Sequence, residues 1–382
     1  MSQQTTMSRR GFLIASGGAV VAAGLGPGGA AAQAPPAPIP GKEKLIVRSP
    51  RPINLEARLA ELTAYHTPPD VFYVRNNYDA PVVDLAQWSL RVEGEVDNPL
   101  VLRLDDLRGL PLVKQDAVLE CAGNGRSFHK PRASGIQWEY GAVGNAGWVG
   151  VRLADVLRLA KVRPGPLHVA FDGADRAPTP QAPDFIRSVP VWKAREPHTM
   201  LAWEMNGAPI PHLHGGPVRV VVPGWIGSAS VKWVERILVI PEEFNGAFMK
   251  RSYRAPRAED EKDTYSLQSL EVKSLVIAPT AGMRLPAGRV PVWGWAWSGE
   301  GELTGLDVST DGGKSWRAAA FVGAQDRYSW RKWEHAWDAA PGRHTVMARA
   351  TDSLGRVQPT SRAFNPLGYR WNVIHAVEVD VA

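Results

Sequence analysis

Val118-Leu119-Glu120-Cys121-Ala122-Gly123-Asn124-Gly125-Arg126 is the stretch from which the rest of this chain can be read. Val118 to Glu120 has the character of a strand end. Cys121 follows at once, and the two glycines after it let another group approach the backbone closely. Arg126 adds a cation that favours a thiolate. Cys121 is the one cysteine in 382 residues. An intrachain disulfide, a four-cysteine zinc site, an iron–sulfur cluster and a C-x-x-C-H haem attachment are therefore excluded within this chain. A lone cysteine is more often a small buried hydrophobe than a reactive group, so its surroundings decide its role.

Working outward, residues 41–255 read as one mixed α+β unit. Asn54 to Leu62 has helical spacing with Asn54 as cap. Trp88 to Gly94 alternates like a strand, Leu104 to Leu110 and Leu153 to Ala160 read as short helices, and Val218 to Val222 and Lys232 to Ile240 read as strands. Long loops separate these elements, and such loops often carry function. The charged run Glu259-Asp260-Glu261-Lys262-Asp263 reads as a solvated connector. Beyond it, residues 270–382 change pattern. Short alternating runs recur at Arg289–Trp297, Leu303–Ser309, Ser315–Phe321, His344–Ala350 and Val373–Val379, and Asp311-Gly312-Gly313 gives a hairpin signal. This spacing predicts a β-sandwich. Trp293, Trp295 and Trp297 share one strand face, which favours packing.

The N-terminal segment reads as an address. Ser8-Arg9-Arg10-Gly11-Phe12-Leu13-Ile14 pairs two arginines with an apolar run that continues to Leu25. The run is short and weakly hydrophobic, as in a signal peptide rather than a membrane anchor. Residues 1–34 are predicted to be a twin-arginine signal, which implies export of the folded protein to the periplasm. Net charge is +6, and +4 without Arg9 and Arg10. So mild a balance suits anionic small molecules better than nucleic acid. High glycine (37) and proline (32) counts favour turn-rich β structure.

Five segments in order then carry a resemblance. These are Asp116–Arg126, Gly147–Leu157, Trp203-Glu204-Met205-Asn206-Gly207, His214–Gly224 and Val231-Lys232-Trp233. Together they resemble the molybdenum domain of the sulfite oxidase family. Gly294–Gly299 and Val308–Trp316 resemble that family's dimerisation domain. The resemblance implies a mixed α/β molybdopterin-binding domain followed by an immunoglobulin-like β-sandwich, and a homodimer. It also implies that Cys121 ligates molybdenum held by molybdopterin; a soft thiolate suits such a metal.

Tyr73-Val74-Arg75-Asn76-Asn77 is similar to the family's substrate-side segment. Arg75 is the implied catalytic and substrate-binding arginine, and Tyr73, Asn76 and Asn77 are offered to the cofactor. Asn77 stands where members of the family often have histidine. Arg126 matches a second catalytic and substrate-binding arginine, Trp138 an aromatic wall of the substrate pocket, and Tyr253 the active-site tyrosine. His214, Arg219, Ser230 and Lys232 match positions that grip the pterin and its phosphate, with Asp172 a further cofactor candidate. Leu367 replaces an arginine that vertebrate members bring from the second domain. Arg370, three residues on, is the candidate to substitute in substrate binding. The implied activity is oxidation of sulfite to sulfate, with electrons leaving to an external c-type cytochrome because no haem site is present on this chain. An oxidoreductase of the same family acting on another sulfur compound, sulfane sulfur or a sulfoxide, is the alternative.

Overall fold

Strands carry most of the regular structure in this computed structural model, which describes residues 37–257 and 263–382. The signal-peptide reading (1–34) and most of the charged connector lie outside the described residues. β1 (Ile46–Pro50) and β2 (Ile53–Glu56) pair first. There follow β3 (Leu90–Gly94), β4 (Leu100–Leu102), α1 (Leu104–Arg108), β5 (Leu112–Glu120), β6 (Val143–Arg152), α2 (Leu153–Leu159), β7 (His168–Gly173), β8 (Ile186–Pro190) and α3 (Val191–Ala194). Then come β9 (Met200–Met205), β10 (Ala208–Pro209), β11 (Arg219–Val221), β12 (Val234–Ile240), α4 (Ala247–Lys250), β13 (Arg254–Pro256) and β14 (Thr264–Ser266).

Two sheets organise this first part. One runs β5-β6-β9, with β10 and β11 both pairing β9; the other runs β4-β3-β12-β7-β8. In the second sheet β12 lies parallel to β3 and antiparallel to β7. Leu90, Val92, Val151, Val169, Val220 and Ile237 bury their side chains in a common core between them.

The C-terminal part is two packed sheets. β15 (Lys273–Ala278), β16 (Arg284–Leu285), β17 (Gly288–Trp297), β18 (Leu303–Ser309), β19 (Arg317–Ala318), β20 (Ala320–Val322), β21 (Arg331–Ala339), β22 (Gly342–Asp352) and β23 (His375–Val381) form sheets β15-β17-β21-β20 and β16-β23-β22-β18-β19. Val276, Val292, Val308, Trp333, Val346 and Val377 fill the space between them. Alternation along β17 sends Val290, Val292 and Ala296 into this core, while Trp295 and Trp297 point the other way into the first part. The three tryptophans do share a face, and Trp295 stacks on Trp330 at 4.7 Å. Packing is thus their role.

Three expectations are corrected. The first part is less helical than an α+β reading implies: the longest described helix, α2, has seven residues. The dense prolines and glycines leave few uninterrupted helical runs. Asn54 to Leu62 is not a helix. Residues 53–56 pair with β1, Leu55 also bridges Val74, and only Leu59–Glu61 makes a 3₁₀ turn. Leu55 and Leu62 are both buried in the strand arrangement as well, so the pattern satisfies either conformation. Asp311-Gly312-Gly313 does join paired strands, β18 and β19, with both glycines at positive φ, but within a longer loop than a two-residue turn.

Candidate active site

Cys121 begins where β5 ends, and its N–H donates to Ala142 O at 2.9 Å. Cys121 lines a cavity of about 690 Å³, its open mouth included. Residues 72–77 form one wall. The 3₁₀ turn at His212–His214, the start of β11 and the loop 227–233 form others, and Tyr253 closes an end. The structure thus brings together Tyr73, Arg75, Asn76, Asn77, Cys121, His214, Arg219, Ser230, Lys232 and Tyr253 from distant parts of the sequence.

The cavity is crowded with cations. Arg75 donates from Nη2 to Asn77 Oδ1 at 2.6 Å, and from Nη1 to Asn54 Oδ1 at 3.3 Å and to the Asn76 carbonyl. The Arg219 guanidinium donates to the carbonyls of His214 and Ser230 at 2.6 and 2.9 Å and lies over the Trp148 ring. Among the described residues no carboxylate meets it, and burial lowers its pKa to about 10. Lys232 donates to Asn76 Oδ1 and to Leu213 O, with its ammonium 3.9 Å from the Trp233 ring centroid. Burial, reinforced by Arg219, pushes Lys232 well below its ordinary range. His214 is also pushed well down, by burial and then by Lys42, whose Nζ lies 2.7 Å from His214 Nε2. Tyr73 is held well above the usual phenol range, chiefly by burial. Asp175 is the sole carboxylate lining the cavity among the described residues, and burial raises it to about 6. Positive charge is therefore concentrated and poorly compensated here.

Two buried polar atoms on this wall, Asn76 Nδ2 and Ser228 Oγ, have no partner among the described residues. Ser230 Oγ accepts the Val222 N–H at 3.0 Å and so holds the loop against β11. Asn77 Nδ2 donates to the Tyr253 hydroxyl at 3.4 Å. Tyr253 and Trp233 have φ of 55° and 49°. Bulky side chains rarely adopt this left-handed region, and such strain gathers at functional sites.

Four sequence-predicted residues lie outside the cavity wall. Arg126 is buried behind the cysteine loop; it donates from Nε to Leu367 O at 3.0 Å and from Nη1 to Ile136 O at 2.9 Å. Gly123, whose missing Cβ would sit 2.4 Å from Arg126 Nη2, leaves room for it. Trp138 is wholly buried among Leu119, Trp148 and Ile136 rather than exposed as a pocket wall. Arg370 lines a separate, smaller pocket on the other side of Cys121, where Glu271 and Tyr265 take its guanidinium. Paired with Glu271 there, it is not among the residues lining the main cavity. Asp172 sits on β7 outside the cavity, where burial raises it to about 6; Asp175, three residues on, takes the place at the wall. Sequence reading missed Asp175, Lys42 and Ser228. Lys42 and Asp175 lack any motif, and Ser228 was within reach as a neighbour of Ser230.

The chain matches the oxidoreductase molybdopterin binding domain over residues 77–248 and the Mo-co oxidoreductase dimerisation domain over residues 264–382. It is 37% identical over 361 residues to the mitochondrial sulfite oxidase of Macaca fascicularis, covering 88% of this chain and 66% of that protein. Sulfite oxidase of Arabidopsis thaliana is 35% identical over 351 residues, covering 84% of this chain and 89% of that one. Among solved structures, the sulfane dehydrogenase SoxCD of Paracoccus pantotrophus superposes with a TM-score of 0.79 at 29% identity, over 87% of this chain and 85% of that one. The chain thus spans slightly under two thirds of the length of the mitochondrial relative, and nearly all of the plant one. A cysteine at a strand end, a hollow of buried cations and both matched domains place this chain in the sulfite oxidase family of molybdopterin oxidoreductases.

Proposed function

We propose that this chain binds molybdenum–molybdopterin in the cavity beside Cys121 and oxidises sulfite to sulfate. The observation that carries the reading is the set of buried, poorly compensated cations converging on one thiol. Such a set costs free energy unless an anion joins it. Asn76 Nδ2 and Ser228 Oγ, buried without partners among the described residues, offer it two further polar contacts. The residues present therefore fit an anionic pterin phosphate and a thiolate-loving metal.

In this reading Cys121 ligates the metal, and His214, Arg219, Ser230 and Lys232 hold the pterin and phosphate, with Lys42 and Ser228 supporting. The bound cofactor supplies two-electron redox chemistry with oxygen-atom transfer. Overall, sulfite and water give sulfate, two protons and two electrons. Arg75 binds the sulfite charge at the cavity wall and orients it, while Arg126 adds positive potential from behind the loop. The Tyr253 hydroxyl, aligned by Asn77, donates a hydrogen bond to the oxyanion. We further propose that the protein is exported to the periplasm after cleavage near residue 34, and that it passes electrons singly to an external c-type cytochrome. It would pair through its C-terminal sandwich, which we read as immunoglobulin-like, into a homodimer.

A second reading has its own observation. Leu367 supplies no second-domain cation, and Arg370 is committed to Glu271. A less positive substrate pocket favours a larger or less charged sulfur substrate, such as the sulfane class named for SoxCD. Steady-state assay of metal-loaded enzyme with sulfite, thiosulfate and methionine sulfoxide separates the two, with ferricyanide or cytochrome c as acceptor in the oxidations. The expected result is preference for sulfite, close to one molybdenum per chain, and loss of turnover in Cys121→Ser. Preference for thiosulfate transfers the assignment to the sulfane reading.

A further inference from the structure

Four side chains from four parts of the chain stack in one column behind the cavity. The Arg187 guanidinium carbon, on β8, lies 5.0 Å from the Tyr253 ring centroid. Tyr253 lies nearly parallel to Tyr369, with centroids 5.5 Å apart and planes at 14°. Arg126 caps the other end, its guanidinium carbon 5.1 Å from the Tyr369 centroid. The order is cation, ring, ring, cation, so each guanidinium meets the electron-rich face of a ring. The Tyr253 N–H also donates to the Tyr369 hydroxyl at 3.4 Å.

Each end of the column is fixed. Arg187 is buried; it donates to the Phe248 carbonyl, and its Nε has no polar partner among the described residues. The aromatic face is thus the main thing that meets this charge. Arg126 is held by the carbonyls of Leu367 and Ile136. Tyr369 comes from the C-terminal part, in the loop where Asn365 Oδ1 accepts the Leu367 N–H at 2.9 Å. The column lies against Tyr253 where its backbone is most strained, at φ 55°. A strained residue keeps its conformation only when its surroundings over-determine it.

We propose that Tyr369 and Arg187 are positioning residues for Tyr253. They clamp its ring from two sides and thereby fix where its hydroxyl stands relative to Asn77 and the cavity. Tyr369 also makes that position depend on the same loop that anchors Arg126. The inference rests on the reading of Tyr253 as the substrate-facing hydroxyl.

The test compares holoenzymes carrying Tyr369→Phe, Tyr369→Leu and Arg187→Met, each scored per bound molybdenum. The second readout is the sulfate dissociation constant measured by calorimetry. Tyr369→Phe keeps the ring and is expected to rescue both quantities to within about twofold of wild type. Tyr369→Leu removes the stack, and small misplacements at a reacting centre are costly, so kcat/KM is expected to fall about tenfold or more with sulfate binding weakened in parallel. Arg187→Met leaves both rings and should show a smaller loss in the same direction. It carries the test alone if Tyr369→Leu does not fold. A packing role would reduce the yield of loaded protein and leave per-molybdenum kcat/KM and sulfate affinity at wild-type values; that result overturns the proposal. If the wild type turns over thiosulfate and not sulfite, the sulfite reading fails, and the same variants are compared on thiosulfate with the same overturning outcome.

Discussion

Lys42 shows what the cavity demands of its charges. Its ammonium is buried against His214 and the Pro69 carbonyl, and burial brings its pKa from 10.5 to about 8, partly opposed by Asp70. Between those two values the unfolded chain holds a proton that the folded chain has released. Stability from this group therefore rises with pH across that window, while below about pH 8 both states are charged and the penalty is at its full size. Lys42→Met removes the penalty and its pH dependence together. In urea unfolding of cofactor-free protein, the stability of Lys42→Met relative to wild type should fall by about 2 kcal/mol between pH 7.5 and pH 10. A pH-independent difference would mean that Lys42 is solvated in the folded chain. Filling the cavity with an anion should shrink the same difference, since an adjacent negative charge raises the lysine pKa again.

At the scale of elements, the cysteine loop and the 365–370 loop fold around one guanidinium. Gly123 and Gly368 approach Arg126 so closely that a Cβ at either would sit 2.4 or 2.5 Å from its atoms, and Gly368 also has φ 64°. Gly123→Ala should displace the guanidinium from the carbonyls of Leu367 and Ile136. The expected cost is about 2 kcal/mol in urea unfolding, the scale of a lost charged hydrogen bond. Retained stability would show that the Arg126 side chain can swing clear. These loops also show why the sequence was readable only in part. Cys121, Arg75, His214, Arg219 and Lys232 sit in ordered motifs, so their convergence on one cavity was legible. The strands β12, β17, β18 and β23 alternate clearly and were legible too. Asn54 to Leu62 was not, because Leu55 and Leu62 suit a helix face and a strand face alike, and pairing with β1 settles the matter through contacts that local spacing does not encode. Lys42, Arg187 and Tyr369 were invisible for a similar reason. Each gains its role from a partner more than 60 residues away, such as His214, Tyr253 or Arg126.

Across the whole molecule, the residue before Cys121 ties the two parts together. Glu120 accepts from Lys273 Nζ at 2.8 Å, Asn124 Nδ2 at 2.9 Å and Trp297 Nε1 at 2.9 Å. Lys273 opens β15 and Trp297 closes β17, so two strands of the C-terminal sandwich grip the end of β5. Both charged side chains are almost fully buried. A buried pair adds little net stability over apolar groups of the same shape, yet losing one partner strands the other. Lys273→Met alone should therefore cost about 3–5 kcal/mol in urea unfolding, because the Glu120 carboxylate is left without its cation. The double variant Glu120→Gln with Lys273→Met should recover much of that loss, since no carboxylate is then left without its cation and the single amide oxygen still accepts from one of the two remaining donors, Trp297 Nε1 or Asn124 Nδ2. Equal costs for the single and double variants would show that Lys273 matters through packing rather than charge. The single variant should also lower the molybdenum bound per chain, because the stranded carboxylate pulls toward water and carries the adjoining Cys121 with it. On the proposed reading of Cys121, the C-terminal sandwich thus acts on the cofactor cavity from within one chain, in addition to any part it has in dimerisation.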